Sequence, residues 1–326
     1  MSHTAIFEHL TPISLRDAYA RIVMAVGESQ PDVMMLDADL SKSTKSSGFA
    51  DKWPERHMNI GIAEQNMVGI AAGLATMNKI PLVNTFAAFL TRRACDQIAI
   101  SVAYPKLNVK FFGFHGGINL GEDGATQQAV EDIAIMRAIP NIRVYSPIDA
   151  NDLAWVTEEI LAYQGPTYVR LSRFPSPTLL APESHPENGT PAFRVMREGS
   201  DVTVLTTGTL TAKVLAAADV MAQRGLEARV IAVTRIKPLG RELAASLAKW
   251  DTPVAVVEEH SVHGGLADAV SFLLDEHAMP HLIHRIGIND RFGESGHPDA
   301  LMESFGLAGS PLVERLTSLC TAKGAA

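Results

Sequence analysis

Residues 60–70 read IGIAEQNMVGI; the stretch runs on as AAGLATM to residue 77, and IPLVNTFAAF follows at 80–89. The first part, from Ala63 onward, has helical spacing and strong helix formers. The second is the apolar run of a buried strand. On a helix, Met67, Val68 and Ala71 lie three, four and seven residues after Glu64 and share its face. A carboxylate on an apolar stripe is costly unless something pairs with it. A first-turn glutamate stabilising a helix N-terminus is the plainer alternative. The sequence thus raises a direct question: what does Glu64 face?

Outward from this pair, strand-like and helix-like stretches alternate. DVMMLDADL (32–40), LNVKFFGF (107–114), IRVYS (142–146) and PTYVRLS (166–172) read as strands, and residues 91–104, 129–139 and 150–164 as helices. Between them HGGINLGEDGATQQ (115–128) is polar and glycine-rich, the composition of a loop that lets a ligand approach the backbone. FPSPTLLAPESHPENGTPAF (174–193) holds five prolines without periodicity and reads as a linker. DVTVLTTGT, EARVIAVTRIKPLG and TPVAVVEEH then resume the alternation, with helices between. The expectation is α/β: two three-layer α/β/α domains with mostly parallel sheets, at 1–175 and 199–326, joined by a linker at 176–198. Active loops belong at the C-terminal ends of the strands.

A chain of 326 residues with 47% hydrophobic and 20% charged residues is globular, and its net charge of −8 argues against a nucleic-acid surface. The N-terminal residues lack the pattern of a signal peptide, and no apolar run suits a membrane span. Two cysteines make no disulfide framework, so a cytoplasmic protein is expected. The glycine signatures of dinucleotide and P-loop sites are absent, as are the zinc-protease and serine-hydrolase patterns. His260 with His263, and His281 with His284, are spaced three apart but lack an obvious third ligand, so no metal site is expected.

Five stretches in order, IGIAEQNMVGIAAGLA, FAAFLTRR, HGGINLGEDGATQQ, RIKPLG and DRFGESG, resemble the transketolase family of thiamine-diphosphate enzymes, over roughly residues 11–320. The resemblance implies a pyrimidine-binding domain followed by a transketolase C-terminal domain. It puts Glu64 against the pyrimidine N1′, where a carboxyl group activates the cofactor, and Phe86 and Phe89 against the ring, with Arg92 beside them. Asp39 would lie near the thiazolium ring. His115, counted with Glu64 as catalytic, would contact the sugar phosphate, and Asp123 a substrate hydroxyl. Arg16, Ser43 and Arg173 match the family's phosphate clamp, whose donors a sulfonate would also satisfy. Gln127 stands where the family usually has histidine; it can hydrogen-bond but cannot carry a proton at neutral pH, which fits an altered substrate.

The family's G-D-G…N element, which holds Mg²⁺ and the cofactor diphosphate, is missing. The chain therefore looks like the C-terminal subunit of a split transketolase, working with an N-terminal partner in an α2β2 heterotetramer. Expected substrates are sugar phosphates or related ketoses and aldoses. The β subunit of a 2-oxo-acid dehydrogenase, or a non-catalytic assembly subunit of the same fold, is the alternative.

Overall fold

The structure is a computed structural model, describing residues 6–186, 189–279 and 282–322. In chain order its strands are β1 (Pro12–Ile13), β2 (Val33–Asp37), β3 (His57–Asn59), β4 (Ile80–Phe86), β5 (Lys110–Phe114), β6 (Arg143–Tyr145) and β7 (Thr167–Leu171). They continue with β8 (Ser176–Pro177), β9 (Phe193–Arg197), β10 (Val202–Thr206), β11 (Ala228–Val233), β12 (Arg235–Lys237), β13 (Val254–Ser261) and β14 (Ile283–Ile288). One sheet has the order β12-β6-β7-β5-β4-β2-β3 and the other β14-β13-β10-β11-β9. Each is parallel except at one edge, where β12 and β9 run antiparallel to β6 and β11. β1 and β8 pair as a small antiparallel ribbon. Helices between the strands complete the two α/β units.

β2, β5, β7 and β10 are buried along their whole length, as strands covered on both faces must be. The helix Glu64–Thr76 buries Glu64, Met67, Val68, Ala71 and Ala72, the face its spacing predicts. One apolar cluster runs from Met67, Val83 and Phe111 to Ile231, Val256 and Val270, so the two units share a core.

Three elements depart from the sequence reading. Residues 80–89 are not all strand: β4 stops at Phe86, and a short helix, Ala87–Arg93, follows. The alanines at 87 and 88 favour that turn into helix, and Phe89 therefore sits on a helix. Residues 227–240 are not one strand either. Thr234 breaks them, and its carbonyl accepts from the Ser146 N–H at 2.8 Å, which delivers β12 to the edge of the first sheet. Third, residues 193–197, within the stretch read as linker, form β9 and close the open edge of β11. Among the described residues, no helix is long and apolar enough to cross a membrane.

Candidate active site

Glu64 opens its helix and is 4% exposed. Its Oε1 accepts from Arg93 Nη1 at 2.7 Å, and the Arg93 guanidinium lies 4.0 Å over the centre of the Phe89 ring. Phe89 stacks on Phe86 with centroids 5.4 Å apart and planes 23° from parallel. Phe86 in turn meets the His115 imidazole at 4.3 Å. Carboxylate, guanidinium, two phenyl rings and an imidazole thus form one continuous row. It crosses the C-terminal ends of β4 and β5, because Phe86 ends the first and His115 directly follows the second.

His115 adopts a left-handed backbone (φ 59°), an uncommon state for a residue with a side chain. It is buried, yet neither ring nitrogen has a hydrogen-bond partner. Burial, then the nearby Arg173 and Arg16 guanidiniums, push its pKa down to about 3, so the ring is neutral at physiological pH. Both ring nitrogens are therefore free of protein partners and available to a bound molecule or water.

The glycine-rich loop is held from the second unit. The Asn119 N–H donates to Glu259 Oε1 at 2.6 Å, and Gln128 Nε2 donates to the Glu294 carbonyl at 2.9 Å. Gly117, at φ 86°, passes so close to Glu259 that a Cβ there would lie 2.3 Å from its Oε1. Behind the loop, Arg170 Nε donates to Asp132 at 2.9 and 3.2 Å, and Arg170 Nη2 donates to the carbonyls of Ala129 (3.2 Å) and Glu259 (2.9 Å). Gln127 is half-buried at the end of this loop.

The other expected site residues fall into two groups. Arg173 Nη1 donates to Asp123 Oδ2 at 2.7 Å and to the Leu120 carbonyl at 3.1 Å, so two proposed substrate contacts pair with each other. Arg16, in the first turn of the helix Leu15–Ser29, lies near enough to act on His115, and its buried Nε has no partner. Ser43 lies in the short helix Ser41–Thr44, whose following residue Lys45 approaches Asp17 at 3.6 Å, beside Arg16. Asp39, also left-handed (φ 59°), is exposed and is tied to Asn59. The Asp39 N–H donates to Asn59 Oδ1 at 3.0 Å, and Asn59 Nδ2 donates to Asp39 Oδ1 at 3.2 Å.

Arg92 is not in the row. Its guanidinium pairs with Glu131, with Nη2 to Oε2 at 3.0 Å, and its Nη2 donates to the Gln128 carbonyl at 3.0 Å, so it braces the far end of the loop. The i,i+4 partner of Phe89 on its helix is Arg93, and that residue reaches Glu64. Reading the run as helix from Ala87 would have pointed to it. Asn59 and the Arg170–Asp132–Glu259 group carry no such local signal.

Among the described residues, no three His, Cys, Asp or Glu side chains gather to hold a metal. His260 is buried, its Nε2 accepting from the Ala134 N–H at 3.3 Å and its Nδ1 donating to the Ser261 carbonyl at 2.7 Å. His281 lies outside the described residues.

Both units of the chain match known protein families. Residues 11–176 match the family described as transketolase, pyrimidine binding domain, and residues 192–310 match transketolase, C-terminal domain. The chain is 39% identical to a putative transketolase C-terminal section of Methanocaldococcus jannaschii, over 93% of this chain and 95% of that one. It is 40% identical to a 6-deoxy-6-sulfo-D-fructose transketolase subunit of Clostridium sp. (strain MSTE9), over 92% of each. A solved structure described as a split gene transketolase, inactive beta4 tetramer, superposes with a TM-score of 0.85 at 43% identity, covering 95% of this chain and 99% of that one.

Proposed function

The chain belongs to the transketolase family, and on that premise we propose that it is the C-terminal subunit of a two-chain transketolase. Its reaction moves a two-carbon ketol unit from a ketose to an aldose acceptor. The observation that carries the proposal is the row from Glu64 through Phe89 and Phe86 to the unpartnered His115.

The family implies thiamine diphosphate, which supplies the electron sink needed to break a bond beside a carbonyl. The residues fit it. Phe86 and Phe89 offer a flat apolar wall, a geometry worth about 0.5–1.5 kcal/mol beyond burial for a stacked aromatic pair. Glu64 offers a buried carboxylate whose Oε1 would share a proton with the pyrimidine N1′, and Asp39 an exposed carboxylate for the thiazolium side. The neutral His115 can donate from one nitrogen and accept at the other. Arg16 and Arg173, with Ser43, would hold the anionic end of the substrate, and Asp123 a hydroxyl.

A phosphate or a sulfonate suits that cationic end, and the naming of one relative for a sulfo-sugar keeps the second in view. Gln127, unable to move a proton, leaves that task to other groups.

The diphosphate and Mg²⁺ would be held by an N-terminal partner chain, in an α2β2 heterotetramer. Exposed apolar side chains around Glu64 support a partner. Ile62 is 76% exposed two residues before it, and Ile100 and Tyr104 are 62% and 80% exposed on the segment packed beside its helix.

The test is reconstitution. This chain alone should be inactive, and mixing it with an N-terminal-section chain, thiamine diphosphate and Mg²⁺ should give glycolaldehyde-unit transfer from a phosphorylated or sulfonated ketose. Strong activity of the chain by itself would sink the split-enzyme proposal.

A further inference from the structure

We propose that Arg93 is a stand-in for the pyrimidine ring: it occupies the ring's place against Phe89 and Glu64 and must be displaced for cofactor to bind. This rests on the reading of the site given above. A guanidinium is flat, delocalised and carries its N–H donors in its own plane. Arg93 meets both groups at once, with its Cζ 4.0 Å over the Phe89 centroid and an N–H on Glu64 Oε1 at 2.7 Å. A protonated aminopyrimidine presents the same two features, a π face and an in-plane ring N–H.

The exposure of the pair is one-sided. Glu64 is 4% exposed and fixed in the first turn of its helix, whereas the Arg93 side chain is 45% exposed. Arg93 ends its own helix, and Gln65 Nε2 anchors its carbonyl at 3.0 Å, so the side chain can swing into solvent without moving the backbone. Arg92 has no such freedom, being tied to Glu131 and Gln128.

Two consequences follow. In the chain without cofactor, Arg93 compensates a carboxylate that would otherwise be buried and unpaired. In the assembly, cofactor affinity is lowered by the fraction of molecules in which Arg93 covers the site.

The direct test titrates thiamine diphosphate, with saturating Mg²⁺, into the reconstituted assembly carrying wild-type or Arg93→Ala chain, by calorimetry. The expected result is binding about tenfold tighter in the variant, about 1.4 kcal/mol. Arg93→Lys, which keeps the charge but loses the plane, should fall between. Equal affinity, or weaker binding by Arg93→Ala, overturns the proposal. A second measurement uses this chain alone and needs no cofactor. Arg93→Ala should lower its melting temperature, and should cease to do so in a Glu64→Gln background; an undiminished effect there also overturns the proposal. If that coupling is found but neither wild-type nor variant assembly binds the cofactor, the reading of the site itself has failed, and the stand-in role falls with it.

Discussion

Arg170→Met tests the framework behind the site. Arg170 and Asp132 are 7% and 0% exposed, and the guanidinium makes two contacts to the Asp132 carboxylate and two to backbone carbonyls. Methionine fills much of the volume of the arginine stem, so the change removes mainly the charge and its donors. Asp132 keeps one bond, from the Tyr168 hydroxyl at 2.7 Å. Glu259 loses its compensating cation: burial raises its pKa, and Arg170 is the largest influence opposing that rise. Breaking a buried pair from one side costs about 3–5 kcal/mol. With an unfolding entropy of about 2.1 cal/mol/K per residue, a loss of about 4 kcal/mol lowers the melting temperature of this chain by about 6 °C.

Urea unfolding followed by tryptophan fluorescence should show an earlier midpoint with an unchanged slope. The double variant Arg170→Met/Asp132→Asn should be more stable than Arg170→Met alone, because it removes the orphaned carboxylate. A loss below about 1 kcal/mol in the single variant would refute the reasoning. So would a double variant whose loss equals the sum of the singles.

Glu64→Ala in the reconstituted assembly should abolish turnover, and rates near normal would remove its assigned role. His115 supplies a pH signature. Its pKa falls from 6.5 to about 3 on folding, so the unfolded chain binds more protons between those values. Its contribution to stability is therefore fully present above pH 6.5 and is lost as pH falls toward 3, by up to about 1.4 kcal/mol per pH unit. His115→Asn should flatten the acid limb of stability against pH, and identical limbs would contradict the buried neutral ring.

Much of the fold is legible because element type follows local periodicity. The face shared by Glu64, Met67, Val68 and Ala71 is a matter of 3.6-residue spacing, and the helix buries those residues. The β–α alternation needs only apolar runs and their punctuation. Strand partners are a different matter. RIKPLG follows the apolar run ARVIAV with only Thr234 between them, and nothing local says that β12 leaves its neighbour β11 for the edge of the other sheet. That choice depends on which edge lies within reach after both sheets have packed.

The site divides in the same way. Glu64, Phe86, Phe89 and His115 stand in short recognisable runs, and the fold brings them into one row. The sequence by itself determined which groups are available: a carboxylate on an apolar face, paired phenylalanines and a glycine-rich loop beginning with histidine. Only the tertiary structure decided their partners. It turned Arg93 rather than Arg92 onto Glu64, paired Arg173 with Asp123, and left both nitrogens of His115 without one. The physical reason is that a hydrogen bond requires two groups within about 3 Å, and residues 29 or 50 positions apart meet at that distance only once the helices and loops carrying them have packed on the sheet.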